Sequence, residues 1–179
     1  MKLALIGLGR MGLNMVKRMV KGGHEVVAFN RSPEPVQEAA AAGAIAAASL
    51  EDAVSKLSAP RVVWLMLPAG DVTEKHLTTL MTLLSPGDLI VDGGNSNFHD
   101  TMRRAAMLRE KNIYYVDVGT SGGIWGLAEG YSMMVGGEKA AVEILRPALE
   151  TLAPAPDQGW GHMGPSGSGH YVKMVHNGI

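Results

Sequence analysis

The sequence predicts an α/β fold, a doubly wound and mostly parallel sheet with helices on both faces. Short apolar strand-like runs alternate along the chain with longer stretches of helical periodicity. That alternation is the signature of parallel strands joined through helices that cover the sheet. Glycine and proline fall where the helical stretches should stop.

Taken in order, Leu3 to Ile6 reads as the first strand and Met11 to Lys21 as an amphipathic helix stopped by Gly22-Gly23. Val26 to Phe29 is a second strand, and Glu34 to Ala42 a helix closed by Gly43. The alanine-rich residues 39 to 48 finish that helix and lead into a small strand, with no chemistry of their own. A helix over Leu50 to Lys56 and a strand over Val62 to Leu67 follow. Val72 to Leu84 is helical up to Pro86-Gly87, and Leu89 to Val91 is again a strand. Asp100 to Glu110 is helical, Ile113 to Val118 and Ser132 to Val135 are strands, and Lys139 to Leu152 is a helix. From Pro154 to Gly169 the composition turns to Pro, Gly, Ser and Trp, which reads as a connection leaving the domain. Gly169 to Asn177 resumes a helical pattern with no capping signal except Gly178. The expected division is a domain over residues 1–160, then a linker and the truncated first helix of an all-α domain over 161–179.

Composition narrows the function. The 179 residues are long enough for one well-buried domain. With 46% apolar residues, 18% charged residues and a formal net charge of -1, the chain belongs with ordinary globular proteins, and no basic stripe points to DNA or RNA. Six histidines and no cysteine leave no thiolate metal site, disulfide or cysteine nucleophile, so no metal is expected and redox chemistry must come from a bound cofactor. The opening Met1-Lys2-Leu3-Ala4-Leu5-Ile6 imitates a signal peptide only until Arg10, Lys17 and Arg18 interrupt it. No apolar run approaches the roughly 18 residues of a membrane span, and a cytoplasmic location is the default.

Gly7-Leu8-Gly9-Arg10-Met11-Gly12 follows the first strand and opens the first helix, the context in which a G-x-G-x-x-G match carries meaning. Gly7 allows the tight turn, Gly9 lets the backbone approach a pyrophosphate, and Gly12 lets helix pack on strand, while the helix N-terminus offers N–H groups to phosphate. A Rossmann-type domain binding a nicotinamide dinucleotide is the expectation. About twenty residues on, an NAD site would carry an acid for the ribose hydroxyls. Asn30-Arg31-Ser32 stands there instead. It lacks the carboxylate that would repel a 2′-phosphate, and Arg31 and Ser32 can bind one, so NADP is the expected cofactor with NAD as the alternative. The bland alternative is a solvated Arg31, with Ser32-Pro33 capping the next helix.

Two further motifs sit just after strands, where open parallel sheets bind ligands. In Asp92-Gly93-Gly94-Asn95-Ser96 and Asp117-Val118-Gly119-Thr120-Ser121-Gly122-Gly123, small residues would admit a sugar or nicotinamide while Asn95 and Ser121 supply directional hydrogen bonds. Each reads equally well as a glycine turn. In the last helix Lys173 lies one turn before His176 and Asn177, so the three share a face. A buried lysine that has lost its proton can take one from an alcohol as hydride leaves the same carbon. Spacing alone is equally compatible with a solvated amphipathic helix.

With these residues in view, the chain resembles the 6-phosphogluconate dehydrogenases, especially their shorter bacterial form, over essentially its whole length. The motifs Gly-Leu-Gly-Arg-Met-Gly, Asp-Gly-Gly-Asn-Ser, Asp-Val-Gly-Thr-Ser-Gly-Gly and Val-Lys-Met-Val-His-Asn-Gly-Ile occur in the family's order. The resemblance implies Lys173 as general base, with Asn177 beside it, and Asn95, Ser121, Gly122, Gly123, His176 and Asn177 lining a sugar-acid site. Asn95 would also meet the coenzyme held by Gly7, Leu8, Gly9, Arg10, Met11, Gly12, Asn30, Arg31 and Ser32. The implied reaction is oxidation of 6-phosphogluconate at C3, then loss of CO2 to give ribulose 5-phosphate, in a full-length protein that is a homo-oligomer. The family's acid glutamate would follow Ile179, so the chain alone is expected to be inactive. Pro68 stands where longer members carry a lysine, and that contact is not carried over. Two other readings stay open, a related β-hydroxyacid dehydrogenase acting on 3-hydroxyisobutyrate and a non-catalytic dinucleotide-binding module.

Overall fold

Alternate residues of the first strand go to opposite sides of a sheet covered on both faces, Leu3 and Leu5 to one apolar core and Ala4 and Ile6 to another. The computed structural model describes residues 1–179. Its strands are β1 (Lys2–Ile6), β2 (Glu25–Phe29), β3 (Ile45–Ala46), β4 (Val62–Leu65), β5 (Leu89–Asp92), β6 (Tyr114–Ser121), β7 (Ser132–Gly136) and β8 (Trp160–Gly164). The helices are α1 (Arg10–Lys21), α2 (Pro33–Ala41), α3 (Leu50–Ser55), α4 (Asp71–Leu83), α5 (Phe98–Arg109), α6 (Gly126–Glu129), α7 (Lys139–Leu152) and α8 (Ser168–Gly178).

One sheet holds all the strands in the order β3-β2-β1-β4-β5-β6-β7-β8. The chain winds outward from β1 to β3, crosses back to β4 and then winds the other way, which is the doubly wound arrangement with its switch point between β1 and β4. Every neighbouring pair is parallel except β6 and β7. One core packs Met15, Val16 and Met19 of α1 with Val142, Leu145 and Leu149 of α7; the other packs Ala53 of α3 with Leu77 and Leu80 of α4 and Leu108 of α5. No helix is long and apolar enough to cross a membrane.

Three segments differ from expectation. Gly119, Thr120 and Ser121, read as loop for their small side chains, continue β6 because β7 runs antiparallel beside them, Gly119 opposite Met134 and Ser121 opposite Ser132. Trp160–Gly164, inside the expected connection, pairs parallel with β7 as the edge strand. Its Gly, His and Met content gives no strand signal, and cross-strand pairing decides it. The expected division at 160 and 161 therefore falls at the first residues of β8, and α8 beyond it packs on β6 and β7. A 3-10 turn at Gly123–Trp125 and α6 also went unforeseen.

Candidate functional site

At the carboxyl ends of β1 and β4 the cleft is bounded by backbone. Gly7 turns the chain with φ +97, and a Cβ there would run into the Met66 carbonyl. A Cβ on Gly12 would strike the Gly7 carbonyl, so α1 can sit this close to β1 only with glycine. Gly9 caps α1 in extended conformation, no side chain bonds to that end, and no acidic residue lies in the first turn. Space is open where a Gly9 side chain would stand. An anion facing this end would meet free N–H groups and the positive end of the helix dipole. These residues fit the pyrophosphate of a dinucleotide.

Asn30 ties the glycine turn to the loop after β2, accepting from the Leu8 N–H at 2.9 Å and donating to the Ser32 carbonyl at 3.2 Å. Beside it lies a cavity of about 550 Å³ bordered by Gly7, Asn30, Arg31, Ser32, Lys75 and His76. Arg31 and Ser32 are exposed at its rim. Lys75 and His76, on α4, were not foreseen, since only the packing of α4 behind β4 puts them there. Pro68 borders the same cavity. Leu8 is buried and Arg10 exposed.

A second cavity of about 350 Å³ gathers residues from four elements: Met11 of α1, Gly93 and Asn95 after β5, Thr120 of β6, and Lys173 and Asn177 of α8. Lys173 is half-buried and Asn177 exposed. Thr120, unassigned in the sequence reading, is buried with an unpartnered Oγ1. Asn95 and Asn177 also border a third cavity of about 290 Å³ with Asn97 and His170. Ser121, Gly122 and Gly123 lie past Thr120 and border none of these cavities. His176 is exposed on α8 and borders none either, although it was expected on the face of Lys173.

Two buried aspartates, opposite one another in the β5–β6 register, stand behind this second cavity. Asp92 accepts from Ser96 Oγ at 2.7 Å, Tyr115 OH at 3.0 Å and the Gly94 N–H at 3.0 Å, which shapes the turn presenting Asn95. Arg104, 1% exposed, stands 3.5 Å from Asp92 and donates to Glu74 at 2.7 Å. Burial and the neighbouring Asp92 carboxylate push the Tyr115 hydroxyl well above its ordinary range. Partial burial works upward on Glu74, yet hydrogen bonds from Arg103 and Arg104 outweigh it and hold its carboxyl below the usual value. Asp117 accepts from the backbone N–H of Gly167 and His170 at the start of α8. No cluster of three or more His, Asp or Glu side chains is arranged for a metal ion.

The family described as the NAD binding domain of 6-phosphogluconate dehydrogenase matches residues 2–164. Among curated relatives, the NAD(+)-dependent, decarboxylating 6-phosphogluconate dehydrogenase of Haloferax volcanii is 50% identical over the whole chain, which spans 58% of that protein. The decarboxylating enzyme of Aggregatibacter actinomycetemcomitans is 44% identical over 99% of the chain and 38% of its own length. The chain thus spans well under two thirds of these relatives. Among solved structures, Plasmodium falciparum 6-phosphogluconate dehydrogenase, studied with NADP+ and with 6-phosphogluconate, superposes with a TM-score of 0.92 at 32% identity, over 99% of this chain and 40% of that one. A Mycobacterium tuberculosis 3-hydroxyisobutyrate dehydrogenase superposes with a TM-score of 0.88 at 31% identity, over 98% and 58%. The glycine turn, the switch-point cleft and these matches agree: the chain belongs to the family of the NAD binding domain of 6-phosphogluconate dehydrogenase, a family of oxidoreductases.

Proposed function

We propose that this chain is the coenzyme-binding part of an enzyme that oxidises and decarboxylates 6-phosphogluconate to ribulose 5-phosphate and CO2, with NADP preferred over NAD. The observation that carries the reading is the convergence of Lys173, Asn177 and Asn95 on one cavity that also reaches Met11 at the start of α1. When bound along α1 and the Asn30–Ser32 loop, the coenzyme supplies a hydride acceptor. Lys173, as the general base, takes the proton of the C3 hydroxyl as the C3 hydrogen departs with its electron pair. Asn177 and Asn95 orient that hydroxyl and its neighbour by hydrogen bonds. The resulting C3 ketone stands β to the carboxylate, so the C1–C2 electron pair can flow toward the ketone oxygen as CO2 leaves. Ser121, Gly122, Gly123 and His176 are assigned to the outer parts of the sugar acid.

Arg31 is the reason to expect NADP, since its guanidinium can make charge-assisted bonds to a 2′-phosphate, and Lys75 adds positive charge across the same cavity. Residues 161–179 are read as the passage into the rest of such a protein, which would be homo-oligomeric and cytoplasmic and would supply the acid that protonates C2 after CO2 leaves. This chain alone would then be inactive. The test is an assay of the full-length protein with 6-phosphogluconate and with 3-hydroxyisobutyrate, each with both coenzymes, alongside Lys173→Met. Turnover of 6-phosphogluconate with NADP, falling about 10²- to 10⁴-fold in the variant, is expected. Preference for 3-hydroxyisobutyrate, or turnover surviving in Lys173→Met, would overturn the reading.

A further inference from the structure

The geometry assigns to Asp117 the part of a positioning residue that sets the height and rotation of Lys173 over the sheet; this rests on the reading of Lys173 as the base. Asp117 is fully buried. The hydrogen bonds found for its carboxylate come from backbone N–H groups, Gly167 to Oδ1 at 2.8 Å and His170 to Oδ2 at 2.9 Å. Both belong to the start of α8, fifty residues or more away in sequence. A carboxylate held by two donors at the positive end of a helix fixes that end both along and around its axis. Lys173 lies three residues after His170, on the next turn.

Close contact makes the clamp tight. A Cβ on Gly169 would fall on the carbonyls of Met134 and Asp117, and one on Gly136 would meet the Asp117 carboxylate. The helix therefore lies with backbone against backbone. At Gly119, two residues beyond Asp117 on β6, a Cβ would come within 2.5 Å of Lys173 Cβ and 3.1 Å of its Cγ. The lysine stem crosses β6 at a residue with no side chain, and Lys173, whose amino group ends that stem, borders the cavity shared with Asn95. Any lift or turn of α8 moves that amino group, and a displacement of about 1 Å in a reacting group can reduce turnover about a hundredfold.

The test measures kcat and KM of the full-length protein for Asp117→Asn, which keeps the size but turns one acceptor into a donor facing an N–H. The expected result is a 10- to 100-fold fall in kcat, estimated from such a displacement, with the coenzyme KM changed less than about twofold because the glycine turn is untouched. A role in stability alone would lower the melting temperature and leave kcat at the assay temperature near wild type; that result overturns the inference. Gly119→Ala is the second variant, since it leaves the Asp117 carboxylate in place and presses chiefly on the lysine stem, with the Gly169 carbonyl 3.1 Å from the new methyl group. It too should lose kcat with the coenzyme KM kept. If Asp117→Asn does not fold, full turnover in Gly119→Ala overturns the inference by itself. Lys173→Met separates the two layers: turnover surviving there removes the base and this inference with it, whereas an inactive Lys173→Met beside a fully active Asp117→Asn removes this inference alone.

Discussion

Around Gly7 the cleft is made of backbone, whereas around Lys173 it is made of side chains that other buried side chains hold in place. The first region needs little beyond a turn, a helix end and glycines at Gly7, Gly9 and Gly12, all within one stretch of chain. Its donors are N–H groups that any residue carries, so the demand on the sequence is for the absence of side chains. The second region brings Asn95, Thr120, Lys173 and Asn177 together from three separate elements. Each wall has its own buried carboxylate, Asp92 for the Asn95 turn and Asp117 for α8. A coenzyme shared by many reactions can be held by generic backbone, but a particular substrate needs side chains at fixed positions, and those need support.

The contrast can be broken most severely at Arg104. Arg104→Met would leave Asp92 without its buried positive neighbour, and removing one member of a buried pair costs about 3–5 kcal/mol. Thermal or urea unfolding should register that loss, with affinity for the coenzyme falling far less than stability in the protein that remains folded. An equal loss of both would mean that the two regions are one unit. Gly9→Ala tests the other side. The new methyl group meets open space in the protein, so the melting temperature should stay put while coenzyme binding weakens by about tenfold, about 1.4 kcal/mol. Unchanged binding in a fluorescence titration would deny that the space in front of Gly9 belongs to the ligand.

An effect specific to one coenzyme is expected at the cavity rim. Arg31→Leu should weaken NADP by about 1.5–3 kcal/mol, the range for a charge-assisted hydrogen bond, and leave NAD within about twofold. Equal losses for both coenzymes would take the 2′-phosphate out of the explanation. The smallest effect concerns pH. Because Glu74 has a lower pKa folded than its ordinary 4.5, its contribution is present above that value and is lost as pH falls through the folded pKa. Wild-type stability should therefore decline more steeply than that of Glu74→Gln below about pH 4.5, as melting temperatures against pH would record. Parallel curves would mean that the Arg103 and Arg104 contacts do not discriminate between its two protonation states.

Much of this was legible from the residues in order. Apolar runs and helical periods fixed the doubly wound class, and the Gly7 to Gly12 turn announced its ligand because its physics is local: strand, turn and helix are adjacent in the chain. Asn95, Lys173 and Asn177 could be picked out as chemically able, yet nothing in their spacing said that they share a cavity, or that His176 stands outside it. Lys75 and His76 carried no signal at all, and Thr120 stood inside a candidate motif without a role of its own. Strand β8 and the far end of β6 were hidden for a related reason, since their small or polar residues become strand only when β7 lies alongside. Composition and local pattern therefore determined the fold class and the coenzyme turn. Only the tertiary structure decided which distant residues meet, because Asp117 and the N–H groups of Gly167 and His170 acquire their meaning from hydrogen bonds that close after the chain has folded back on itself.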